Sequence, residues 1–392
     1  MPTSRPTSRP TSRLVPRLET SGSGGAGRPG RAGRVAVVLA LAAGLAGCGL
    51  GGGSGDAGGR SGGAPASGRS VPAVDPGRCP AGGAGQSGGA QDGSADLGPG
   101  RDRAPRGPFL VDPHSQAAQQ AAAHPADAQA IATLVQTPTA FPVGDWITDV
   151  TDQVRSRAAA AQASGSTAVF MIYGIPHRDV GAGFSSGGLP NADAYRQFTR
   201  QVAAGIGGAR AVLVLEPDAL GQIDELDQGQ AAERYGLLRD AVDVYASLPA
   251  ASVYLDGANC GWIAPAEMAR RLVQAGVAHA RGFAVNVANY YRTVDEVSRA
   301  EVLAGLLGGA HYVVDTSRNG QGPASGITNP WCNPPGRGLG ARPTTDTAYP
   351  HADAFLWVKT PGASDGECGR GDPAAGAWWP KAAADLVRNA VP

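Results

Sequence analysis

The chain has 392 residues, 33 basic and 33 acidic side chains, zero formal net charge at pH 7 and only 17% charged residues. That balance excludes the electrostatic footprint of a nucleic-acid binder and points to neutral or small partners. The length could hold two domains, but Gly, Ser, Ala and Pro crowd the first third, so one folded domain is expected.

Residues 1–34 are rich in Arg, Pro, Ser and Gly, with Pro-Thr-Ser-Arg repeated from Pro2 to Arg13, and cannot bury a core. From Val35 to Leu45 runs an apolar stretch preceded by Arg28, Arg31 and Arg34. It is too short to span a bilayer comfortably, and basic-then-apolar order is that of a secretory signal. It ends in Leu45-Ala46-Gly47-Cys48, which resembles the bacterial lipobox and predicts lipidation of Cys48. The other reading is an ordinary cleaved signal with an incidental cysteine. Residues 1–48 are therefore read as a basic region and lipoprotein-type signal, and 49–106 as a flexible Gly/Ser/Ala-rich tether. Cys79 lies in that tether without an evident partner.

Residues 107–392 form the expected domain. Apolar runs recur at Phe109 to Val111, Ala168 to Tyr173, Ala211 to Leu215, Ser252 to Leu255, Gly282 to Val287, His311 to Val314 and Ala354 to Val358. Helical stretches separate most of them, among them Ala192 to Ile206, Gln230 to Ala246, Pro265 to Ala275 and Val294 to Leu307. Alternating strands and helices predict a parallel sheet with helical crossovers, an α/β fold that is either a barrel or an open sheet. Functional residues then belong on the loops after strand ends.

The run Leu-Val-Leu-Glu-Pro-Asp (213–218) fits that plan best. Its apolar part reads as a strand buried on both faces. Pro217 cannot donate to a ladder, so Asp218 falls just past the carboxyl end. Glu216 and Asp218 could also simply cap a turn. Yet Asp256 and Asp315 close two later runs, and Asp179 and Asp365 follow two others. Carboxyl groups that face one another raise each other's pKa, and one can then serve as a general acid. The six histidines are scattered, the cysteines lack metal spacing, and no phosphate-type glycine loop or serine elbow appears, so no metal and no cofactor are expected. Such a carboxylate set points to glycosyl transfer to water. Trp262 and Trp331 add flat faces on which a pyranose could stack, whereas Trp357, inside an apolar run, reads as core.

At this point residues 108 to 392 resemble glycoside hydrolase family 6, the inverting β-1,4-glucanases that include bacterial endoglucanases and cellobiohydrolases. The resemblance rests on residues 212–220, 254–262, 282–289, 315–320, 331–336 and 356–366. It implies a distorted TIM-like barrel of seven parallel strands. It also implies that Asp218 is the general acid and that Asp179 raises its pKa and helps organise the attacking water. Asp365 would be the base, directly or through a water relay. Tyr173 would crowd the sugar at the cleavage subsite, and Ser185 would lie near the attacking water. Asp256, Asn259, Asn289 and Lys359 would line the cleft, with Trp262 and Trp331 as platforms on opposite sides of the cleaved bond.

Some positions depart from the family pattern. Asn259 stands where His is usual and Ala363 where Glu is usual. Val180 and Glu225 replace both halves of one disulfide. The other disulfide is retained as Cys332 and Cys368, as suits an exported protein. Cys260 replaces a small residue and is expected to be a buried thiol outside any bridge. With no room for long loops over the cleft, the resemblance implies an endo-acting enzyme. The expected partner is a β-glucan, with no nucleic acid, a membrane reached only through the lipid anchor, and a monomeric state outside the cell. Two alternatives remain: a weakly active or non-catalytic glucan-binding lipoprotein, motivated by Asn259 and Ala363, and a hydrolase of a different β-glucan.

Overall fold

The computed structural model describes residues 98, 100–181 and 183–391. The segment read as a signal, Cys48, Cys79 and nearly all of the segment read as a tether lie outside the described residues. Seven strands, β1 (Phe141–Gly144), β2 (Ala168–Tyr173), β3 (Ala211–Leu215), β4 (Ala251–Asp256), β5 (Gly282–Val285), β6 (His311–Asp315) and β7 (Ala352–Leu356), form one sheet in sequence order. Every neighbouring pair is parallel. The two edge strands approach each other where the Ala140 N–H donates to the Trp357 carbonyl at 2.9 Å. The result is the distorted TIM-like barrel, with an incomplete seam between β1 and β7.

Helices α1 (Gln116–Ala123), α2 (Ala132–Val135), α3 (Val150–Ala163), α4 (Ala192–Ile206), α5 (Gln228–Ala246), α6 (Pro265–Gln274), α7 (Thr293–Leu306) and α8 (Pro380–Arg388) accompany the sheet. Their starts carry local signals. The Asn191 side chain caps α4, Asp227 and Gln230 form a capping box on α5, and Pro265 opens α6.

Strand alternation divides the apolar residues into two cores. Ala211, Leu213 and Leu215 of β3 face the helices with Phe170, Val253 and Phe283. Val212 and Val214 face the barrel interior with Val169, Tyr254, Ala284, Val313 and Leu356. The inward parity carries on to Tyr173 at the end of β2, Asp256 at the end of β4 and Asp315 at the end of β6. The polar rim is thus the continuation of the interior rows.

The strand count agrees with the sequence reading, but the first member differs. Phe109 makes only an isolated bridge to Thr167, and the true first strand is Phe141–Gly144. Pro142 sits in it because an edge strand tolerates a missing N–H. The run at Gly282 ends at Val285, and α1, α2, α3 and α8 are additions to the helices named from the sequence. The last residues assigned to the tether are packed. Arg101 donates to the Leu307 and Gly308 carbonyls at 3.1 Å, and Arg103 to those of Ala246 and Leu248, so the two arginines satisfy the carboxyl ends of α7 and α5.

Cys332 and Cys368 are bonded, with their Cα atoms 5.6 Å apart. Cys260 is also disulfide-bonded, which overturns its reading as a thiol outside any bridge. Its partner falls outside the described residues. The resemblance offered no second cysteine for this position, so the bond had no signal there.

Candidate active site

The carboxyl rim of the barrel is built on strained backbone. Asp179, Glu216, Asp218, Ala258, Asn286 and Ala288 all have positive φ without being glycine. Each such residue costs on the order of 1–3 kcal/mol, a strain that persists only where surroundings enforce it. Buried carboxylates supply that enforcement. Glu216 turns back towards the loop after β2, and its oxygens accept the Gly174 N–H (3.0 Å) and the Ile175 N–H (3.0 Å). Burial pushes the Glu216 carboxyl up to about 7, against the pull of those N–H groups. Asp315 accepts from Ala288 (3.0 Å), Ser317 (2.9 Å), Val358 (3.2 Å) and Lys359 (3.0 Å), tying together the ends of β5, β6 and β7.

Asp256, 2% exposed, plays the same part for the central loop. Its Oδ2 accepts the Asp218 N–H at 3.0 Å and the Ala258 N–H at 3.1 Å. It therefore lies beneath the cleft rather than on its surface, and burial pushes its carboxyl up to about 7. Asp218 itself is half-buried, at φ 69°. Burial first, then the charges of Asp256, Asp179 and Asp365, push its carboxyl well above the ordinary range, with Lys359 opposing them.

Asp179 is held from two sides. Its Oδ2 accepts the Ser185 N–H at 2.5 Å and its Oδ1 accepts from Gln222 at 3.0 Å. The loop between Asp179 and Ser185 is closed by backbone bonds between Arg178 and Gly187 at 3.1 and 3.3 Å. The Ser185 hydroxyl then donates to the Asp365 carbonyl at 3.2 Å, so one serine joins the loops after β2 and β7. Gly181, next to Val180, packs against Glu225, since a Cβ on Gly181 would lie 3.3 Å from the Glu225 side chain.

Asp365 is the opposite of Asp218. Burial alone would raise its carboxyl, but Arg318 (2.9 Å) and Lys359 (2.8 Å) hold it well below the usual carboxylate range. Tyr290 donates to it at 3.1 Å, and the Asn333 N–H at 3.0 Å. The Asn333 side chain returns the bond by accepting the Asp365 N–H at 2.8 Å. Because Asn333 follows Cys332, the disulfide anchors this clamp.

Tyr173 stands at the end of β2, with its ring under the Arg178 guanidinium (4.5 Å) and edge-on to Trp146 (6.5 Å). The charges of Asp218 and Asp179, after burial, push its phenol up. Trp146 is 52% exposed and Trp331 42% exposed, both at the rim loops. Trp262 is half-buried over Gly221, where a Cβ would come within 2.6 Å of the indole. Asn259 is buried, and its side chain accepts the Gly261 N–H at 3.1 Å within its own turn. Asn289 is half-buried on the loop after β5. Among the described residues no group of three or more His, Cys, Asp or Glu is placed to hold a metal ion.

Sequence reasoning brought Asp218, Asp179, Asp365, Tyr173, Ser185 and Lys359 to one rim, and the structure places them there together. It missed Trp146, Gln222, Arg318, Tyr290 and Asn333. The signal for Trp146 was its place just after a strand end, which stayed hidden while β1 was unrecognised.

A nearly closed parallel barrel whose carboxyl rim holds one carboxyl of raised and one of lowered proton affinity has the make-up of an acid–base hydrolase. The chain belongs to the glycosyl hydrolases family 6, whose model matches residues 105–390. It is 39% identical over 290 residues to Endoglucanase A of Cellulomonas fimi, covering 73% of this chain and 62% of that protein. It is 38% identical over 295 residues to Endoglucanase A of Thermobispora bispora, covering 73% and 63%. The chain thus spans less than two thirds of the length of these relatives. Among solved structures, the endoglucanase Cel6 from Mycobacterium tuberculosis, in complex with methyl-cellobiosyl-4-deoxy-4-thio-β-D-cellobioside, is 45% identical with a TM-score of 0.70, covering 72% of this chain and 97% of that one. An Orpinomyces sp. Y102 enzyme of the family is 27% identical with a TM-score of 0.61 over 72% and 96%.

Proposed function

We propose that the protein hydrolyses internal β-1,4-glucosidic bonds of cellulose or a related β-glucan with inversion at the anomeric carbon. The observation that carries this reading is the pairing of opposites at one rim, with the proton affinity of Asp218 raised by burial and neighbouring carboxylates and that of Asp365 lowered by Arg318 and Lys359. Asp218 protonates the leaving glycosidic oxygen. Asp179, fixed by Ser185 and Gln222, keeps Asp218 protonated through its charge and orients the attacking water with Ser185. Asp365, neutralised by Arg318 and Lys359, is a weak proton acceptor, which favours a relay through a second water over direct abstraction. Tyr173 crowds the sugar at the cleavage subsite, and Trp146, Trp262 and Trp331 stack on its neighbours. Asn289 and Lys359 offer polar groups along the cleft. The endoglucanase names of the relatives support internal cleavage.

The test is reducing-sugar release from carboxymethylcellulose. The wild type releases sugar and Asp218→Ala does not; equal release by both would reject the assignment.

The same reading has the chain exported through residues 1–48, lipidated at Cys48, and carried as a monomer on a tether over 49–106, with 107–392 as the catalytic domain. What supports it is the basic–apolar–small order ending in Cys48. In a bacterium with lipoprotein processing, the wild type should partition into detergent and Cys48→Ala should not.

A further inference from the structure

A cavity of about 1030 Å³ runs without interruption from Tyr173 and Lys359 past Trp146 to Gln153 and Gln116. That volume reaches the top of the roughly 300–1,000 Å³ range of pockets that enclose a whole drug-sized ligand. It is more than the sugars flanking one glycosidic bond require on this side of Tyr173. Trp146 divides the space. Its ring is seated on Gly144, where a Cβ would come within 2.2 Å of the indole, so the platform is fixed on the strand end while half of the residue stays open.

The far half of the groove has its own chemistry. One wall is the outer side of β1 with α3, and the other is the loop after β7, through Ala363 and Gly376. Ala363, which ends at its Cβ where the family pattern carries the longer Glu, lines the same cavity as Trp146. Beyond it, the Gln153 amide accepts from Arg157 at 2.9 Å and retains its NH2 as a donor. Gln116 donates to the Gly376 carbonyl at 3.0 Å, where the two walls meet, and retains its oxygen as an acceptor. Neutral amides next to an indole face suit sugar hydroxyls, and the Arg157 and Asp112 charges of the same lining are paired with each other at 3.1 Å.

We infer that this part of the groove is an additional glucosyl-binding subsite, beyond Trp146 on the Tyr173 side, opened by Ala363 and read by Gln153 and Gln116. The inference rests on the glucan-hydrolase reading above. Its consequence is a preference for chains long enough to reach past Trp146.

The test compares kcat/KM on cellotetraose and cellohexaose for the wild type, Ala363→Phe and Gln153→Ala. Ala363→Phe blocks the passage and should lower the hexaose-to-tetraose ratio about tenfold, as expected for one lost sugar contact. Gln153 is exposed on α3, so Gln153→Ala keeps the fold and should lower the ratio roughly threefold through one lost hydrogen bond. An unchanged ratio in Gln153→Ala together with either an unchanged ratio or a misfolded Ala363→Phe overturns the subsite. So does an equal fall on both substrates. Failure of the wild type to cleave either oligomer would instead overturn the glucan-hydrolase reading.

Discussion

Asp256 accepts the backbone N–H of Asp218 at 3.0 Å, so the residue that ends β4 sets the pose of the residue that follows β3. The bond holds Asp218 at its positive φ and places a second buried carboxyl beside it. One neighbour therefore fixes the backbone pose of Asp218 and adds to the burial that raises its proton affinity.

Asp256→Asn keeps a carbonyl that can accept the Asp218 N–H but removes the charge. Asp218 then releases its proton more easily, so the alkaline limb of the kcat/KM profile should move to lower pH. Asp256→Ala loses the latch as well, and activity should fall about 100-fold, the scale of a misplacement near 1 Å. A pH–rate profile of Asp256→Asn superimposable on the wild type would reject the coupling.

Lys359 acts on both carboxyls, lowering Asp365 and opposing the rise of Asp218. In Lys359→Met both groups should hold protons to higher pH. Both limbs of the profile should move upwards, in contrast to the downward move of Asp256→Asn. A shift of one limb alone, or downwards, contradicts the assignment.

The Cys332–Cys368 bond closes a separation of 36 residues. Chain-entropy arguments give such a loop roughly 3–4 kcal/mol of stability. The double Cys→Ser variant should unfold at lower denaturant by that order. It should also lose activity at temperatures where it is still folded, because Asn333 no longer holds Asp365 in place. Full activity in the folded variant would separate the disulfide from the site.

Glu296 tests stability away from the cleft. Burial pushes its carboxyl up to about 7, against Arg299 and the Cys260 N–H, which donates to it at 2.8 Å. Between the ordinary Glu range and 7 the folded protein holds a proton that the unfolded chain has released, so stability falls as pH rises through that window. Glu216 and Asp256 act with the same sign. Urea unfolding should show a smaller loss between pH 5 and pH 8 in Glu296→Gln than in the wild type. An equal or larger loss would be inconsistent with a buried, proton-retaining Glu296.

The site's main carboxylates were legible because strands end where their apolar runs end. Pro217 stops β3 and leaves Asp218 on the rim, and the runs before Asp179 and Asp365 behave alike. The edge strand was not legible, since Phe141–Gly144 is short and contains a proline, and Trp146 was lost with it. Glu216 shows a deeper limit. Residue parity would point it into the barrel, but a positive φ redirects it to the loop after β2. Asp256 and Asn259, expected along the cleft, each turn one side-chain oxygen to backbone N–H groups, a choice made by loop geometry. Asn333 gains its place from a disulfide and a long-range clamp, neither of which has a local signature.

On the proposed mechanism, Asp218 protonates the leaving oxygen while water attacks from the opposite face. Inverting sites hold their two carboxyl groups roughly 6.5–9.5 Å apart to admit that water, and form no covalent sugar–enzyme intermediate. Proton NMR of the first product from a β-1,4-linked oligosaccharide tests this most directly. The α-anomer should appear first and then mutarotate; a β-anomer appearing first would contradict the mechanism and the roles of Asp179 and Asp365.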